Sequence, residues 1–111
     1  NTMKLVRTFH PVGHGAFYAE VLYDEKGEVI QTVVYDCGTL SKREYLYEQI
    51  DVLRQITDRI DALFISHFHT DHTSGIDYLS KKFDIERIFI PVLTDAILVE
   101  SLMFNAINHS I

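Results

Sequence analysis

The chain has 111 residues, which is enough for one small domain. A composition of 47% hydrophobic and 23% charged residues is typical of a globular protein and excludes an intrinsically disordered one. The net charge of -6 argues against a free-standing nucleic-acid-binding module, which usually presents a basic face. It leaves phosphate chemistry open, because bound divalent metals reverse the local sign of the charge.

The cysteine count and the start of the chain bear on disulfide bonds and on the expected cellular location. Cys37 is the single cysteine, so an intrachain disulfide framework is excluded. We interpret Met3 as the natural start, so the domain is expected to cover residues 3–111, with residues 1–2 as an addition. No signal-peptide apolar region follows Met3, and no apolar run is long enough to span a membrane, so a cytoplasmic location is the default expectation.

The first third of the chain predicts three strands. Each candidate strand is rich in apolar, aromatic and β-branched residues, and a loop containing Gly27 joins the second and third as a hairpin. A turn is expected at residues 36–39. The predicted strands cover residues 3–10, 16–23 and 29–35.

A helix is predicted next. Ser41 and Glu44 form a capping-box pattern, which predicts a helix that starts there and continues to about Ile56. Apolar residues recur along it at helical spacing and predict one buried face, formed by Leu46, Ile50 and Leu53.

Strands and helices then alternate. Strands are predicted at residues 61–66 and 85–90, and helices at residues 74–83 and 94–105. The order βββαβαβα predicts an α/β fold with a mixed sheet and helices on one face. The last predicted helix is apolar nearly all round, so it needs cover that the rest of this chain does not provide.

Four potential metal ligands follow the apolar run at residues 62–65: His67, His69, Asp71 and His72. His67 and His69 are two apart, so in extended backbone their side chains point to the same side. Asp71 and His72 follow once the chain has turned. Two adjacent pairs of ligands suit two neighbouring metals, which in dinuclear hydrolases lie about 3.5–4 Å apart. The alternative is a histidine-rich surface loop.

The pattern His67-x-His69-x-Asp71-His72 resembles the H-x-H-x-D-H signature of the metallo-β-lactamase superfamily. Asp36-Cys37-Gly38 lies where that family has an Asp-x-Gly element. The resemblance implies the N-terminal half of an αβ/βα sandwich. It also implies two divalent metal ions, with zinc expected and iron or manganese as alternatives. His67 and His69 would bind the first metal, and Asp71 and His72 the second.

The resemblance also implies a reaction. In the family a metal-bound hydroxide attacks the substrate, and the motif position of Asp71 makes it the expected catalytic residue, which orients the attacking water. Asp36 would lie outside the ligand set and orient the ligand loop by hydrogen bonds, although an Asx-turn role is compatible with its position. Cys37 is interpreted as a small buried residue rather than a nucleophile.

The ligand set is incomplete in this chain. The family usually supplies a third histidine, a bridging aspartate and a last histidine from later segments. The only later histidine is His109, which we interpret as a terminal surface residue. A C-terminal half or a partner chain is therefore expected to complete the site, and the isolated chain is expected to be inactive and to bind metal weakly.

A weaker resemblance bears on the substrate. Residues 12–21 and 33–38 are similar to the opening of the metallo-β-lactamase domain of DNA-uptake (competence) proteins, although Ala16 stands where that family has Asp. It implies phosphodiester hydrolysis, of nucleic acid or a nucleotide. The alternatives are thioester, lactone or β-lactam hydrolysis, and a non-catalytic half-domain that only binds metal. His10 and His14 are interpreted as structural or surface histidines.

Overall fold

The computed structural model describes residues 2–66 and 69–90. Within them, strands and helices alternate after an initial set of three strands, as the sequence predicts. The elements are β1 (Lys4–Phe9), β2 (Gly15–Tyr23), β3 (Val29–Thr39), α1 (Arg43–Arg54), β4 (Arg59–Ile60), β5 (Ala62–Phe64), α2 (Thr70–Thr73), α3 (Ile76–Lys82), β6 (Asp84–Ile85) and β7 (Ile88–Phe89).

The main sheet is mixed and has the strand order β1-β2-β3-β5-β7. The first three strands pair antiparallel, whereas β3, β5 and β7 pair parallel. This confirms the predicted α/β architecture. Because β1, β3, β5 and β7 run in one direction, their C-terminal ends meet at one edge of the sheet, which we call the carboxyl edge.

One face of the sheet carries the core. Val34 and Leu63, at the centre of the sheet, are fully buried, and burying each such side chain stabilises the fold by about 1.5–3 kcal/mol. The covering side chains come from α1 and α3, which confirms the predicted buried face of the first helix. They are Leu46, Ile50, Leu53 and Leu79.

The other face of the sheet carries an aromatic ladder with one ring from each of its five strands. Neighbouring ring centroids lie 4.5, 5.6, 5.0 and 4.7 Å apart across the sheet. Such spacings are those of favourable aromatic pairs. The ladder consists of Phe9, Tyr18, Tyr35, Phe64 and Phe89.

The predicted turn at residues 36–39 is wrong, because β3 continues to Thr39. Asp36 forms a bulge: Phe17 pairs with Cys37, and Tyr18 pairs with Tyr35. The φ angle of Asp36 is +61°, in the left-handed region. A bulge with this geometry absorbs one extra residue and lets the strand pairing resume beyond it.

The predicted capping box is also wrong. Helix α1 begins at Arg43, its N-cap residue is Lys42, and that residue makes no side-chain capping bond. The Ser41 Oγ instead accepts a hydrogen bond from the backbone N–H of His14, at 2.8 Å. A partner distant in sequence has therefore replaced the local one.

The chain forms two short strands around the start of the strand predicted at residues 61–66: β4, which was not predicted, and β5, to which the predicted strand is shortened. At Asp61 the chain steps from the small β4-β6 sheet into the main sheet, and Asp61 bonds the backbone of Thr32 through both its N–H and its carboxylate. The strand predicted at residues 85–90 divides into β6 and β7. The helix predicted at residues 94–105 lies outside the described residues. Among the described residues no helix is long and apolar enough to cross a membrane.

His10, at the end of β1, is buried, with 7% of its surface exposed. Its ring stacks on Phe17 with centroids 4.6 Å apart, and its Nδ1 lies 3.0 Å from the Gln49 Oε1. Burial lowers the pKa of His10 below its ordinary value of 6.5, and the hydrogen bond to Gln49 opposes this shift. His10 is therefore a core residue that folds in its neutral form.

The pH dependence of stability should reveal this buried histidine. The pKa of His10 is lower in the folded chain, so the unfolded chain takes up the proton first as the pH falls. The stabilising contribution of neutral His10 is therefore present above about pH 6.5 and is lost as the pH falls through the folded-state pKa. Urea unfolding from pH 7.5 down to pH 5 should show a steeper loss of stability in the wild type than in His10→Gln. Parallel curves for the two proteins would contradict the assignment.

Candidate metal centre

The carboxyl edge brings three of the predicted site residues together: Asp36, Asp71 and His72. Asp36 lies in the last part of β3, Ser66 follows β5, and α2 carries Asp71 and His72. Loops at the ends of a rigid sheet are where binding residues are usually positioned. The strand order, in which β3 and β5 are neighbours, places Asp36 beside the ligand loop.

Asp36 is the central acceptor of this edge. Its Oδ1 accepts a hydrogen bond from the Ser66 N–H at 2.7 Å, and its Oδ2 accepts one from the Ser66 hydroxyl at 2.6 Å. The Oδ2 also lies 3.0 Å from the Nδ1 of His72. Only 7% of Asp36 is exposed, so these donors replace the water that burial removes.

His72 is held in one orientation by this contact. Its Nδ1 faces Asp36, and its Nε2 lies 3.5 Å from the Oδ2 of Asp71. A histidine whose one ring nitrogen bonds a carboxylate while the other faces outward is typical of metal ligands. Asp71 and the Nε2 of His72 therefore fit a divalent metal as a pair of ligands.

The other predicted ligand pair is only partly described. His69 is the N-cap residue of α2, and its carbonyl accepts bonds from the His72 N–H at 2.9 Å and the Thr73 hydroxyl at 3.1 Å. His67 lies outside the described residues. Within residues 2–66 and 69–90, no three His, Cys, Asp or Glu side chains are close enough to form a metal cage.

Close packing fixes α2 against the end of β3. A Cβ on Gly38 would come within 2.5 Å of the Thr73 nitrogen and 2.6 Å of the Thr70 carbonyl oxygen, so only glycine fits there. The Gly75 N–H donates to the Cys37 carbonyl at 2.9 Å. The backbone of the ligand segment thus rests directly on the strand.

Ser74 and Thr39 form a second connection that the sequence did not reveal. The Ser74 Oγ accepts a bond from the Thr39 N–H at 2.8 Å and donates to the Thr39 carbonyl at 3.1 Å. This pair of bonds forms a clamp between α2 and β3. Nothing in a local pattern indicates a partner 35 residues away.

Cys37, between Asp36 and Gly38, is a core residue. It is fully buried. Burial, and after it the neighbouring charge of Asp36, raises the pKa of its thiol far above the ordinary value. The thiolate is therefore unavailable at neutral pH, which excludes Cys37 as a nucleophile.

Comparison with protein families gives one match that covers most of the chain. The model described as "Metallo-beta-lactamase superfamily" matches residues 22–110. Ribonuclease J from Mycoplasma genitalium is 28% identical over 76 residues, and ribonuclease J from Mycoplasma pneumoniae is 26% identical over 76 residues. Each alignment covers 63% of this chain but only 13% of the relative.

A solved structure supports the same fold. The crystal structure of a beta-lactamase domain protein from Burkholderia ambifaria matches 94% of this chain with a TM-score of 0.51 and 18% sequence identity. The matched region is 31% of that protein's chain. At this identity the likeness concerns the fold alone.

Replacing Asp36 should weaken metal binding without removing a ligand. Asp36→Asn replaces one carboxylate oxygen, which faces Ser66 or His72, with an amide NH2 group. The orientation of His72 is then less well fixed. The loss of such a partner typically costs about 10–100-fold in metal affinity. Competition with a chromophoric zinc chelator measures the effect. The control is Asp24→Asn, which changes a carboxylate that bonds backbone N–H groups at the opposite edge of the sheet. Equal zinc affinity in the two variants would contradict the role of Asp36.

Replacing Gly38 should displace the helix that carries the ligands. In Gly38→Ala the new methyl group would meet backbone atoms of residues 70–73, which can move only with α2. We expect zinc affinity and the free energy of unfolding to fall together. In the control Gly27→Ala, the φ of +84° adds strain of about 1–2 kcal/mol, but the methyl group meets open space. That variant should lose stability and keep its zinc affinity; wild-type zinc affinity in Gly38→Ala would refute the packing argument.

Proposed function

Because the chain belongs to the metallo-beta-lactamase superfamily, a superfamily of metal-dependent hydrolases, we propose that it carries the metal-binding segment of a hydrolase that cleaves phosphodiester bonds in nucleic acid. Members of the superfamily typically bind zinc ions. The observation that supports the proposal most directly is the contact of His72 with Asp36 on one side and Asp71 on the other.

The proposed ligand sets follow the sequence motif. His67 and His69 would hold a first metal, and Asp71 and His72 a second. Zinc bound there would polarise a phosphoryl oxygen and lower the pKa of a water molecule to near neutrality. Asp71 would also orient the attacking water, and Asp36 would keep the imidazole of His72 aligned.

The choice of a phosphodiester substrate has two supports. The two relatives at 26–28% identity are both ribonucleases by name. Residues 12–21 and 33–38 resemble the domain opening of DNA-uptake proteins, and the start of the first stretch lies at the carboxyl edge, where Gly15 pairs with Thr39. Nucleic acid is therefore the substrate class we propose, with ribonucleic acid as the first to test.

Further ligands must come from outside the described pairs. The matched region is 13% of both relatives and 31% of the solved structure's chain. We propose that a C-terminal segment or a partner chain supplies the further ligands. The isolated chain would then bind zinc weakly and turn over little substrate.

The test compares the 111-residue chain with the protein encoded by its whole reading frame. Elemental mass spectrometry gives zinc per chain, and release of product from end-labelled RNA gives activity. We expect hydrolysis by the protein of the whole reading frame and a loss of about 100-fold or more in Asp71→Asn, since water activation contributes on that scale.

The control is Asp77→Asn, which changes an exposed carboxylate paired with Lys81 on α3. Equal activity of the Asp71 and Asp77 variants would argue against a catalytic role for Asp71. Rapid turnover by the isolated chain would show that no further ligands are needed.

A further inference from the structure

Four exposed residues at the carboxyl edge form a group that we call the basic ledge: His14, Lys42, Arg43 and Tyr45. Lys42 and Arg43 lie where α1 begins, directly after the connection from β3. His14 precedes the first residue of β2. The ledge therefore combines three basic side chains and one aromatic ring on the edge that carries the candidate metal centre.

The loop that carries His14 is rigidly built. The His14 N–H donates to the Ser41 Oγ at 2.8 Å, and the His14 carbonyl accepts the Leu40 N–H at 2.7 Å. Gly13 has a φ of +82°, and a Cβ there would lie 2.4 Å from the Ser41 Oγ. The backbone of His14 is therefore fixed while its imidazole stays exposed. Its fixed backbone and exposed side chain together suit His14 for contacting a ligand.

One residue joins this loop to the metal centre. The hydroxyl of Thr39 donates a hydrogen bond to the Val12 carbonyl at 2.6 Å, and it lies 3.2 Å from the carbonyl oxygen of His14. The backbone of Thr39 forms both bonds of the clamp to Ser74, which directly follows α2. Thr39 therefore contacts the ledge loop on one side and the ligand-bearing helix on the other.

The start of α1 carries both signs of charge: Lys42 and Arg43 are exposed, and Glu44 lies beside them in the first turn. Among the described residues Lys42 and Arg43 make no salt bridge, whereas Arg7, Arg59 and Lys81 each pair with a carboxylate. The chain as a whole carries a charge of -6. An anionic substrate that approaches the carboxylates of the candidate metal centre would gain from two exposed cations on the same edge that form no ion pair with a described residue.

Tyr45 adds an aromatic surface to the cations. It is 47% exposed, and its Cδ2 lies 3.6 Å from the position that a Cβ on Gly13 would occupy. The ring therefore flanks the His14 loop. A basic surface that includes an exposed aromatic ring is typical of proteins that bind single-stranded nucleic acid, because bases stack on the ring while cations contact phosphates.

We propose that the basic ledge binds single-stranded nucleic acid beside the scissile phosphodiester. Lys42 and Arg43 contact backbone phosphates, the imidazole N–H of His14 donates to a phosphate oxygen, and Tyr45 stacks on a base. This inference rests on the proposed phosphodiesterase function and names the surface that would hold its substrate.

The first experiment measures binding of a labelled single-stranded oligouridine by fluorescence anisotropy over a range of KCl concentrations. EDTA in the buffer prevents cleavage. The variant Lys42→Gln/Arg43→Gln should bind more weakly, and the slope of log affinity against log salt should fall by about 1.4, which is two phosphate contacts at about 0.7 each.

The matched control is Lys4→Gln/Lys26→Gln, which removes two exposed cations at the opposite edge of the sheet. It has the same net charge and should keep the wild-type salt slope. A wild-type slope in the ledge variant, an equal loss in the control, or no binding by the wild type would each overturn the proposal.

The second experiment tests stacking. Tyr45→Phe keeps an aromatic ring and should bind like the wild type, whereas Tyr45→Leu should bind about fivefold or more weakly. Urea unfolding of both variants separates this loss from misfolding. Equal affinities for Phe and Leu would exclude a stacking role.

The two proposals fail in different ways. In one outcome the ledge variants lose RNA affinity, but the zinc-loaded protein from the whole reading frame does not cleave RNA. This result would support the ledge as a binding surface and refute the phosphodiesterase function. In the other outcome that protein cleaves RNA, and the ledge variants bind and cleave like the wild type. This result would support the phosphodiesterase function and refute the ledge as a binding surface.

Discussion

The buried carboxylate of Asp36 is the constraint on which the site geometry depends. A carboxylate with 7% exposure must be matched by donors, and in this chain they come from Ser66 and His72. Ser66 follows β5, and His72 lies in α2. The hydrogen bonds to Asp36 therefore fix where the chain leaves the sheet after β5 and how the His72 imidazole is oriented. The left-handed bulge at Asp36 directs the carboxylate to that place, at a cost of about 1–3 kcal/mol.

Backbone packing then limits how the ligand helix can move. Gly38 lets α2 lie directly on β3, and the Ser74–Thr39 clamp holds its end by two hydrogen bonds. A four-residue helix has little stability of its own, because too few internal bonds offset the cost of nucleation. Its geometry is therefore imposed by the sheet, and the ligands are preorganised by the same contacts that hold the fold.

Local patterns predicted the elements but not their long-range partners. The strand and helix periods, and the buried face with Ile50, follow from side-chain burial and could be predicted from spacing. Ser41 was expected to cap α1 and instead bonds His14, 27 residues earlier. Asp61 was expected to begin a strand and instead lies between two short strands, where it bonds the backbone of Thr32. The sequence motifs identified Asp36, Asp71 and His72 as site residues. The bulge at Asp36 and the Ser74–Thr39 clamp were not predicted, because they depend on tertiary contacts that no local sequence signal encodes.

The strands that end in the candidate site also carry the exposed aromatic ladder. Tyr35 directly precedes Asp36, and Phe64 lies two residues before Ser66, so the strands that end in the site also carry the centre of the aromatic ladder. A cavity of about 440 Å³ is lined by these four residues together with Ile65, Phe89 and Ile90. A segment or chain that covered the ladder would close this cavity over Asp36 and Ser66. Burying the rings of the ladder would supply hydrophobic free energy at the same edge that carries the candidate site.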